Sequence, residues 1–445
     1  MLIHSGTLVA MDPAGTVAMG DLLVIDDRIA ALGAGVAAAL ATLPGGRAEQ
    51  QIDASGCFVL PGFVQAHLHL CQTLFRGLAE QANLLDWLRE AIFPLEAAHT
   101  ESSVAASARL GLVEAIAAGV TCVNDMGTVR HTEAIGGALE ESGIRAVFGK
   151  ALMDRGDGVP PSLLEEPAGA LEETAALARR FHGAAGGRLQ VSLAPRFILS
   201  CSETLWRGAV ALSRERGLLL HTHVAESSEE GRAVAATTGT SAARYFGDTG
   251  VLNERFVGAH GVWLDDEELS LLARSKAALV HCPGSNLKLG SGLADVAAWR
   301  AHGIRCGLGS DGAACNNRLD PFHEMSLASG VSRARKGATL VARDVLALAT
   351  CDGARALGLD PVTGSLEPGK QADLVLVDAT APHMATASAD PCVALVESAR
   401  PTDVRLTMVA GRVLYRDGQW CTLDAARAAR EARAETKRLL ERRAA

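Results

Sequence analysis

The 445-residue sequence lacks the marks of membrane and secreted proteins. No apolar run reaches the roughly 18 residues that a membrane-spanning helix needs. The first residues, MLIHSGTLVAMD, contain no basic segment followed by an apolar one, so no signal peptide is visible. The ten cysteines are scattered without a CxxC pair, which indicates buried, reduced thiols and not a disulfide framework. We therefore predict a cytoplasmic protein that does not act at a membrane.

Two further features are missing. No GxGxxG motif opens a helix after the first predicted strand, which disfavours dinucleotide binding. The chain also has no excess of positive charge: its net charge is −9, which disfavours nucleic acid as a partner. What is present is a globular composition, with 48% hydrophobic and 21% charged residues. The length allows one large domain with a small one, or two to three ordinary domains.

The two ends of the chain are similar in character. Residues 2–32 and 364–420 both alternate short apolar runs with Gly, Asp and Pro turns, a pattern typical of β-structure. Because chain termini often lie close together, we expect these ends to form one small sheet domain. The predicted boundaries are residues 1–58 with 362–422 for the small domain, 59–361 for the large domain and 423–445 for a C-terminal helix.

The middle of the chain repeats a strand–helix unit eight times in about 300 residues, which predicts an α/β fold of the (β/α)8 barrel type. An open doubly wound sheet is the alternative. Helices are predicted between the strands, for example over Ser102–Ala118, Ser202–Arg216, Glu267–Ser275 and Asp295–His302. The predicted strands are Val59–His67, Thr121–Asp125, Ala146–Lys150, Leu189–Ala194, Leu218–His223, Arg255–His260, Ala277–His281 and Arg305–Ser310.

Polar residues end several of these strands, where a core would contain Val or Leu. Active sites of barrels lie at the carboxyl ends of the strands, so these residues are expected to share one rim. One histidine at a strand end is usually structural, whereas six of the thirteen in the chain on one rim suggest a site. The residues are His67, His69, His221, His223, His260, His281 and Asp311, followed shortly after strand five by Glu226.

The spacing of the first pair predicts a metal site. Side chains at i and i+2 of a strand point the same way, so His67 and His69 can bind one ion together. His223 and Asp311 would complete the protein ligands and leave one position open for water, as in catalytic sites. Strand four carries no lysine that could bridge two ions, which favours a single divalent ion. His221 lies deeper than His223 and is interpreted as a supporting or core residue.

These residues predict hydrolysis of a polarised C–N centre. A metal ion turns bound water into a nucleophile near neutral pH. His260 and Asp311 can orient that water and take its proton, and Glu226 can carry a proton to the substrate and leaving group. Glu229 and Glu230, in the same AESSEE segment, are expected on the surface.

The motifs PGFVQAHLHL, HTHVAE, GAH, HCPGSNLKLGSG and GLGSDGAACNN resemble the amidohydrolase superfamily, in its deaminase and triazine-hydrolase branch. The resemblance covers essentially the whole chain, including GSLEPGKQADLVLVD. It implies a (β/α)8 barrel with a small β-sandwich made from both termini. It also implies one divalent metal, usually zinc with Fe²⁺ or Mn²⁺ possible, on His67, His69, His223 and Asp311. Barrels of this family commonly form homo-oligomers, which we expect here.

Within that branch, the segment LFRGLAEQANLLDWLREAIFPLEA resembles enzymes that deaminate S-adenosylhomocysteine, 5′-methylthioadenosine and 5′-deoxyadenosine. The resemblance implies that Glu96 holds the ribose hydroxyls and that Trp87 lines the pocket. One segment departs from it: APRFILSCS carries Arg196 and Phe197, which resemble the purine-holding residues of guanine deaminases. Arg196 is therefore expected either to contact the substrate or to pair with a carboxylate. Further candidate substrate-binding residues are Lys150, His281 and Asn286.

The predicted function is metal-dependent deamination of an adenosine-type nucleoside, by attack on a C–N bond of a cyclic amidine. The first alternative is a guanine-like or s-triazine aminohydrolase or chlorohydrolase. Hydrolysis of an amide ring is a further one, which the missing lysine disfavours. A catalytically inactive barrel that serves as a binding protein is the alternative from another class, and the complete set of ligands argues against it.

Overall fold

A computed structural model describes residues 1–42, 48–80, 83–386 and 388–444. The described chain forms two β-sheets of nine strands each, with helices around one of them. Within these ranges no helix combines the length and the apolar character needed to cross a bilayer. All ten cysteines lie in the described ranges and are unpaired.

The larger sheet is the predicted barrel. Its strands are parallel neighbours in chain order, and helices connect most of them. They are buried nearly throughout, as strands covered on both faces must be. The barrel strands, numbered one to eight, are Phe63–His69, Val120–Asp125, Arg145–Leu152, Leu189–Pro195, Leu219–Val224, Phe256–His260, Ala278–His281 and Arg305–Leu308, the last continued by Asp311–Gly312.

The break in strand eight closes the ring. Arg305–Leu308 pairs with strand seven, whereas Asp311–Gly312 pairs with strand one at Leu68 and His69. Only Gly309 and Ser310 separate the two segments. A Cβ atom on Gly309 would lie 2.5 Å from the carbonyl oxygen of His67, so the close approach requires glycine. Strand eight thus joins both sides of the sheet and places Asp311 beside strand one.

The strand predicted over Val59–His67 is wrong in one respect: it is two strands. Cys57–Pro61 belongs to the small sheet, and Phe63–His69 is barrel strand one. The chain changes sheets at Gly62, where a Cβ atom would lie 2.0 Å from Thr121. A continuous apolar run hides this break because residues on both sides of it are buried.

The small sheet is built from both ends of the chain and is mainly antiparallel. The pairing of Cys57–Pro61 with Leu374–Asp378 joins the N-terminal strands to the C-terminal ones. The predicted sandwich is a single hydrogen-bonded sheet around a shared apolar cluster. Its strands are Leu2–Val9, Val17–Ile25, Arg28–Gly33, Gln51–Asp53, Cys57–Pro61, Leu374–Asp378, Val404–Val409, Arg412–Arg416 and Gln419–Trp420.

The predicted barrel helices are confirmed to within about two residues at each end. Several begin with capping boxes, such as Thr100 with Ser103 and Asp265 with Glu268, which satisfy the free N–H groups of the first turn. The α-helices of the barrel region are Leu84–Trp87, Phe93–Ala97, Glu101–Ala117, Thr132–Ser142, Pro167–Phe181, Ala184–Gly187, Glu203–Arg216, Ser228–Thr238, Ala242–Asp248, Asp266–Arg274, Pro283–Lys288, Val296–Ala301, Ala313–Asn316, Pro321–Ala334, Ala342–Leu348 and Cys351–Ala356.

Other helical segments lie outside this set. The last helix covers most of the predicted C-terminal helix and packs against Glu101–Ala117; residue 445 falls outside the described residues. The remaining α-helices are Val36–Ala41, Pro391–Glu397 and Ala425–Ala444, and a π-helical turn spans Leu88–Ile92. Short 3₁₀ helices span Leu70–Phe75, Pro161–Leu163, Ile198–Ser200 and Pro401–Asp403.

Candidate metal centre and active site

Four side chains predicted as ligands converge at the carboxyl ends of strands one, five and eight. His67, His69, His223 and Asp311 each offer one donor atom, and the four donor atoms lie within 4.8 Å of one another. Oδ1 of Asp311 lies 3.3 Å from Nε2 of His67 and 3.4 Å from Nε2 of His69. Three nitrogens and one carboxylate oxygen at such separations fit the donor set of a catalytic zinc site.

Backbone conformation helps to aim these groups. His260 and Asp311 both have positive φ angles, of 78° and 60°. Such angles are uncommon for residues other than glycine and persist where the surroundings impose them. Asp311 is held by its neighbours: Oδ2 accepts a hydrogen bond from Ser285 Oγ at 2.7 Å, and Oδ1 accepts one from the N–H of Gly312 at 2.8 Å.

Burial keeps the histidines of this centre neutral. It lowers the pKa of His67 and lowers those of His69 and His223 well below the usual value. Burial alone would raise the pKa of Asp311, but its contact with His67 and the nearby His260 and His69 hold that pKa well below its usual range. Neutral imidazoles beside an ionised carboxylate are the protonation states that metal binding requires.

His260 and Glu226 lie next to the four donors. His260 Nε2 is 3.5 Å from Glu226 Oε2 and 3.8 Å from Asp311 Oδ2, and that nitrogen is buried without a hydrogen-bond partner. On the other side of the ring, His260 Nδ1 contacts Asn286 Oδ1 at 2.9 Å, an arrangement in which the imidazole donates. A donor on Nδ1 leaves the lone pair of Nε2 directed at the centre.

Glu226 is a buried carboxyl group with raised proton affinity. Burial raises its pKa well above the usual value, and the charges of Asp311 and Glu230 add to the rise. Ser291 Oγ lies 3.4 Å from its Oε1. A raised pKa favours the protonated carboxyl group, which can donate its proton to a substrate.

Glu230 was expected on the surface, and that interpretation is wrong. Its side chain is buried, and Oε2 accepts hydrogen bonds from the N–H groups of Glu226, at 2.7 Å, and Ser227, at 3.4 Å. The reason is helix capping. Ser227 is the N-cap of the helix Ser228–Thr238, and Glu230, the third residue of that helix, completes the capping box. Glu230 thereby fixes the backbone that carries Glu226.

A pocket opens onto the centre. Its walls combine apolar and polar side chains, as expected for a small-molecule site. Trp87 and Phe197, both predicted, line it, and the indole N–H of Trp87 is buried without a partner. The lining residues are His69, Gln72, Leu84, Trp87, Leu88, Arg196, Phe197, His223, Glu226, Glu230 and Asp311.

Arg196 lines this cavity while paired with Glu96. Its Nη1 and Nη2 donate to the two Glu96 oxygens at 2.5 and 3.1 Å, and both side chains are buried. Gln72 Nε2 donates to the same carboxylate at 3.1 Å, and the guanidinium lies over the ring of Phe93 at 5.2 Å. Of the two roles left open for Arg196, pairing with a carboxylate is the one observed. Glu96 is thus already bonded on both oxygens.

Besides Glu96, which lies behind Arg196 and does not line the cavity, three predicted substrate-binding residues are not part of its lining. The ammonium of Lys150 contacts the carbonyl oxygen of Val129 and both oxygens of Glu165, at 2.9 and 2.8 Å, so a buried ion pair neutralises it. The ring of His281 packs edge-on against Trp299, with centroids 6.1 Å apart. Asn286 contacts His260 instead of facing the cavity.

The sequence analysis missed Gln72, Ser285 and Ser291. Gln72 lies three residues after His69 in the 3₁₀ turn Leu70–Phe75, and its Oε1 is buried without a partner. The signal for Gln72 was available, since the turn directly follows the strand that carries His67 and His69. Ser285 and Ser291 lie in the segment after strand seven, where no spacing rule marks a single serine.

Comparisons with known proteins agree with this architecture. Residues 58–414 match the model of the amidohydrolase family. A 5′-deoxyadenosine deaminase of Methanothermobacter thermautotrophicus is 38% identical over 408 residues, 91% of each chain. A 5-methylthioadenosine/S-adenosylhomocysteine deaminase of Halobacterium salinarum is 38% identical over 94% of this chain and 93% of its own.

Among solved structures, an adenosine deaminase from Xanthomonas campestris with bound zinc superposes with a TM-score of 0.91. It is 27% identical, and the match covers 99% of this chain and 98% of that one. The family resemblance predicted from the motifs is confirmed. The chain belongs to the amidohydrolase family.

Proposed function

We propose that this protein is a metal-dependent hydrolytic deaminase of adenosine-type nucleosides. The substrate would be 5′-deoxyadenosine, 5′-methylthioadenosine, S-adenosylhomocysteine or adenosine, and the products an inosine-type nucleoside and ammonia. The observation that carries the proposal is the convergence of four donor atoms beside Glu226 and His260, facing a pocket. The deaminases at 38% identity support the substrate class.

The residues present fit one divalent metal ion. His67, His69, His223 and Asp311 would hold it, and the imidazole-rich set suits Zn²⁺ best, while Fe²⁺ and Mn²⁺ accept the same donors. Nε2 of His67 is buried without a hydrogen-bond partner, as a nitrogen reserved for a metal would be. When bound, the ion would supply Lewis-acid activation of water and of the purine ring.

The proton transfers fall to the chain's own residues. His260 and Asp311 orient the attacking water and accept its proton as oxygen adds to C6 of the purine. Glu226 donates a proton to ring nitrogen N1, and the proton taken from water then passes to the amino group, so that ammonia leaves as the C–N bond breaks. The new hydroxyl on C6 returns its proton to Glu226 as the C6 carbonyl forms. The raised pKa of Glu226 favours the protonated form that this step uses.

The cavity would position the purine for this attack. Trp87 and Phe197 offer aromatic faces, and Leu84 and Leu88 add apolar surface, so a planar heterocycle can be bound out of contact with bulk water. Removing water from the site strengthens every electrostatic contact that acts on the reacting ring.

The test is a screen for ammonia release by zinc-loaded protein. We expect turnover of at least one of 5′-deoxyadenosine, 5′-methylthioadenosine, S-adenosylhomocysteine and adenosine, with guanine and s-triazines turned over far more slowly. A Glu226→Gln variant is the control for contaminating deaminases. Zinc-loaded protein that releases ammonia from none of the four nucleosides would overturn the proposal.

A guanine-like or s-triazine aminohydrolase is the second candidate, because Arg196 and Phe197 both line the cavity. Glu96 distinguishes the two functions, but Glu96→Ala alone would leave Arg196 as an uncompensated buried charge. The sharper comparison is therefore Glu96→Gln beside the double variant Glu96→Gln/Arg196→Met. A ribose-binding Glu96 predicts that both variants lose activity on nucleosides far more than on free bases. Equal losses on both would favour the second candidate.

A further inference from the structure

His221 lies directly behind the proposed metal ligand His67. It precedes His223 by two residues on strand five, so both side chains point to the same side of the sheet. Nε2 of His221 lies 2.8 Å from Nδ1 of His67, and both residues are fully buried. The two rings are nearly perpendicular, at 86°.

A hydrogen bond between two imidazole nitrogens contains one proton, and the metal site decides where it resides. Nε2 of His67 faces the cluster, 3.3 Å from Asp311, and a metal ligand must offer a lone pair there. The proton of neutral His67 is then on Nδ1, which donates to His221. His221 must accept through Nε2 and hold its own proton on Nδ1, which is buried and has no partner among the described residues.

We propose that His221 is a positioning residue that fixes the tautomer and ring orientation of His67 for metal binding; this inference rests on the metal site proposed above. Ligating histidines usually donate their second N–H to a carboxylate, a backbone carbonyl or water. His223 follows that rule, since its Nδ1 lies 2.7 Å from the carbonyl oxygen of Arg196. His67 instead donates its second N–H to the neutral imidazole of His221.

Substitutions at His221 distinguish the loss of the hydrogen-bond acceptor from the loss of packing volume. Gln places an acceptor close to the position of the histidine Nε2 atom, whereas Leu fills space without one. His281→Leu is the matched control, because His281 is equally buried, ends strand seven and makes no hydrogen bond through its Nδ1. The probe is zinc, titrated against a chromogenic chelator, and thermal unfolding of the zinc-free proteins reports whether each variant folds.

We expect His221→Leu to weaken zinc affinity about 10- to 100-fold, the range typical of lost supporting contacts. His221→Gln should retain most of the affinity, and His281→Leu should bind zinc like the unsubstituted protein. If His221→Leu does not fold, His221→Met also lacks an acceptor of comparable strength and takes its place.

Two outcomes overturn the inference while the unsubstituted protein binds zinc. One is equal zinc affinity in His221→Leu and His281→Leu. The other is a Gln variant that folds normally yet loses as much affinity as the Leu variant. An unsubstituted protein that binds no zinc would instead refute the proposed metal site itself, so the two failures are distinguishable.

Discussion

His69 and Asp311 meet at 3.4 Å in the mouth of the barrel, and both side chains are buried. Replacing one imidazole donor with a methyl group removes a metal–ligand bond and leaves a gap in the ligand set, so a divalent ion should be held much more weakly. We therefore expect His69→Ala to lose both bound zinc and turnover. Metal analysis of the purified variant, beside His281→Leu prepared in the same way, checks this. Normal activity in His69→Ala would contradict the ligand assignment.

Glu226 provides a second prediction about a single residue, because its proposed role requires a protonated carboxyl group and not a carboxylate. Glu226→Gln keeps the shape and the contact with Ser291 but cannot transfer a proton. The expected result is a fall in kcat of about 10²- to 10⁴-fold, the usual contribution of a general acid or base. Zinc content should be unchanged. A variant that keeps full kcat would exclude Glu226 as the proton carrier.

The sequence predicts such residues well when a strand end fixes their position. Residues i and i+2 of a strand must share a side, so the pairing of His67 with His69 follows from spacing alone. The ion pair between Arg196 and Glu96 does not, since the partners are separated by 100 positions and belong to different segments. Lys150 was misread for the same reason: its partner Glu165 lies in the loop after strand three.

The helix Pro321–Ala334 contains a buried carboxyl group, that of Glu324. Glu324 accepts hydrogen bonds from the N–H of Gly284, at 3.0 Å, and from Asn316 Nδ2, at 2.7 Å. Burial raises its pKa from 4.5 to about 8. The folded protein therefore holds a proton that the unfolded chain releases between these two values, and stability is lost as the pH rises through this window.

Glu324→Gln removes this titration. Relative to the unsubstituted protein, the variant should gain stability as the pH rises from about 5 to about 8, by at most about 1.4 kcal/mol per pH unit. Above that range, the difference in the free energy of unfolding between the two proteins should be constant. Urea unfolding of both proteins at a series of pH values measures it, and a difference that does not change with pH would contradict the shifted pKa.

Element types and order could be predicted because each barrel strand is a short apolar run between helical segments. The break at Gly62 could not, since only the three-dimensional approach of Thr121 explains why the chain must turn there. The split of strand eight at Gly309 has the same cause. Close backbone contacts between distant segments leave no periodic trace in a single sequence.

For the whole molecule, one buried ion pair links the two sheets. Arg145 begins strand three of the barrel, and its Nε donates to Asp373, which precedes the small-sheet strand Leu374–Asp378, at 2.6 Å. The guanidinium is 2% exposed and the carboxylate 0%. Removing one member of such a pair leaves an uncompensated buried charge, which typically costs about 3–5 kcal/mol.

We expect Asp373→Leu to lower the free energy of unfolding by about this amount. The double variant Arg145→Met/Asp373→Leu should recover much of the lost free energy of unfolding, because it leaves no unpaired charge in the interior. Urea unfolding of the single and double variants provides the measurement. A double variant that is less stable than Asp373→Leu alone would show that the loss does not come from an unpaired charge.

The proposed chemistry depends on one metal ion held by His67, His69, His223 and Asp311. The most direct measurement is a crystal structure of the zinc-loaded protein with an anomalous difference map recorded at the zinc edge. We predict one peak per chain, within bonding distance of all four side chains. A peak elsewhere, two peaks in the barrel mouth, or none would contradict it.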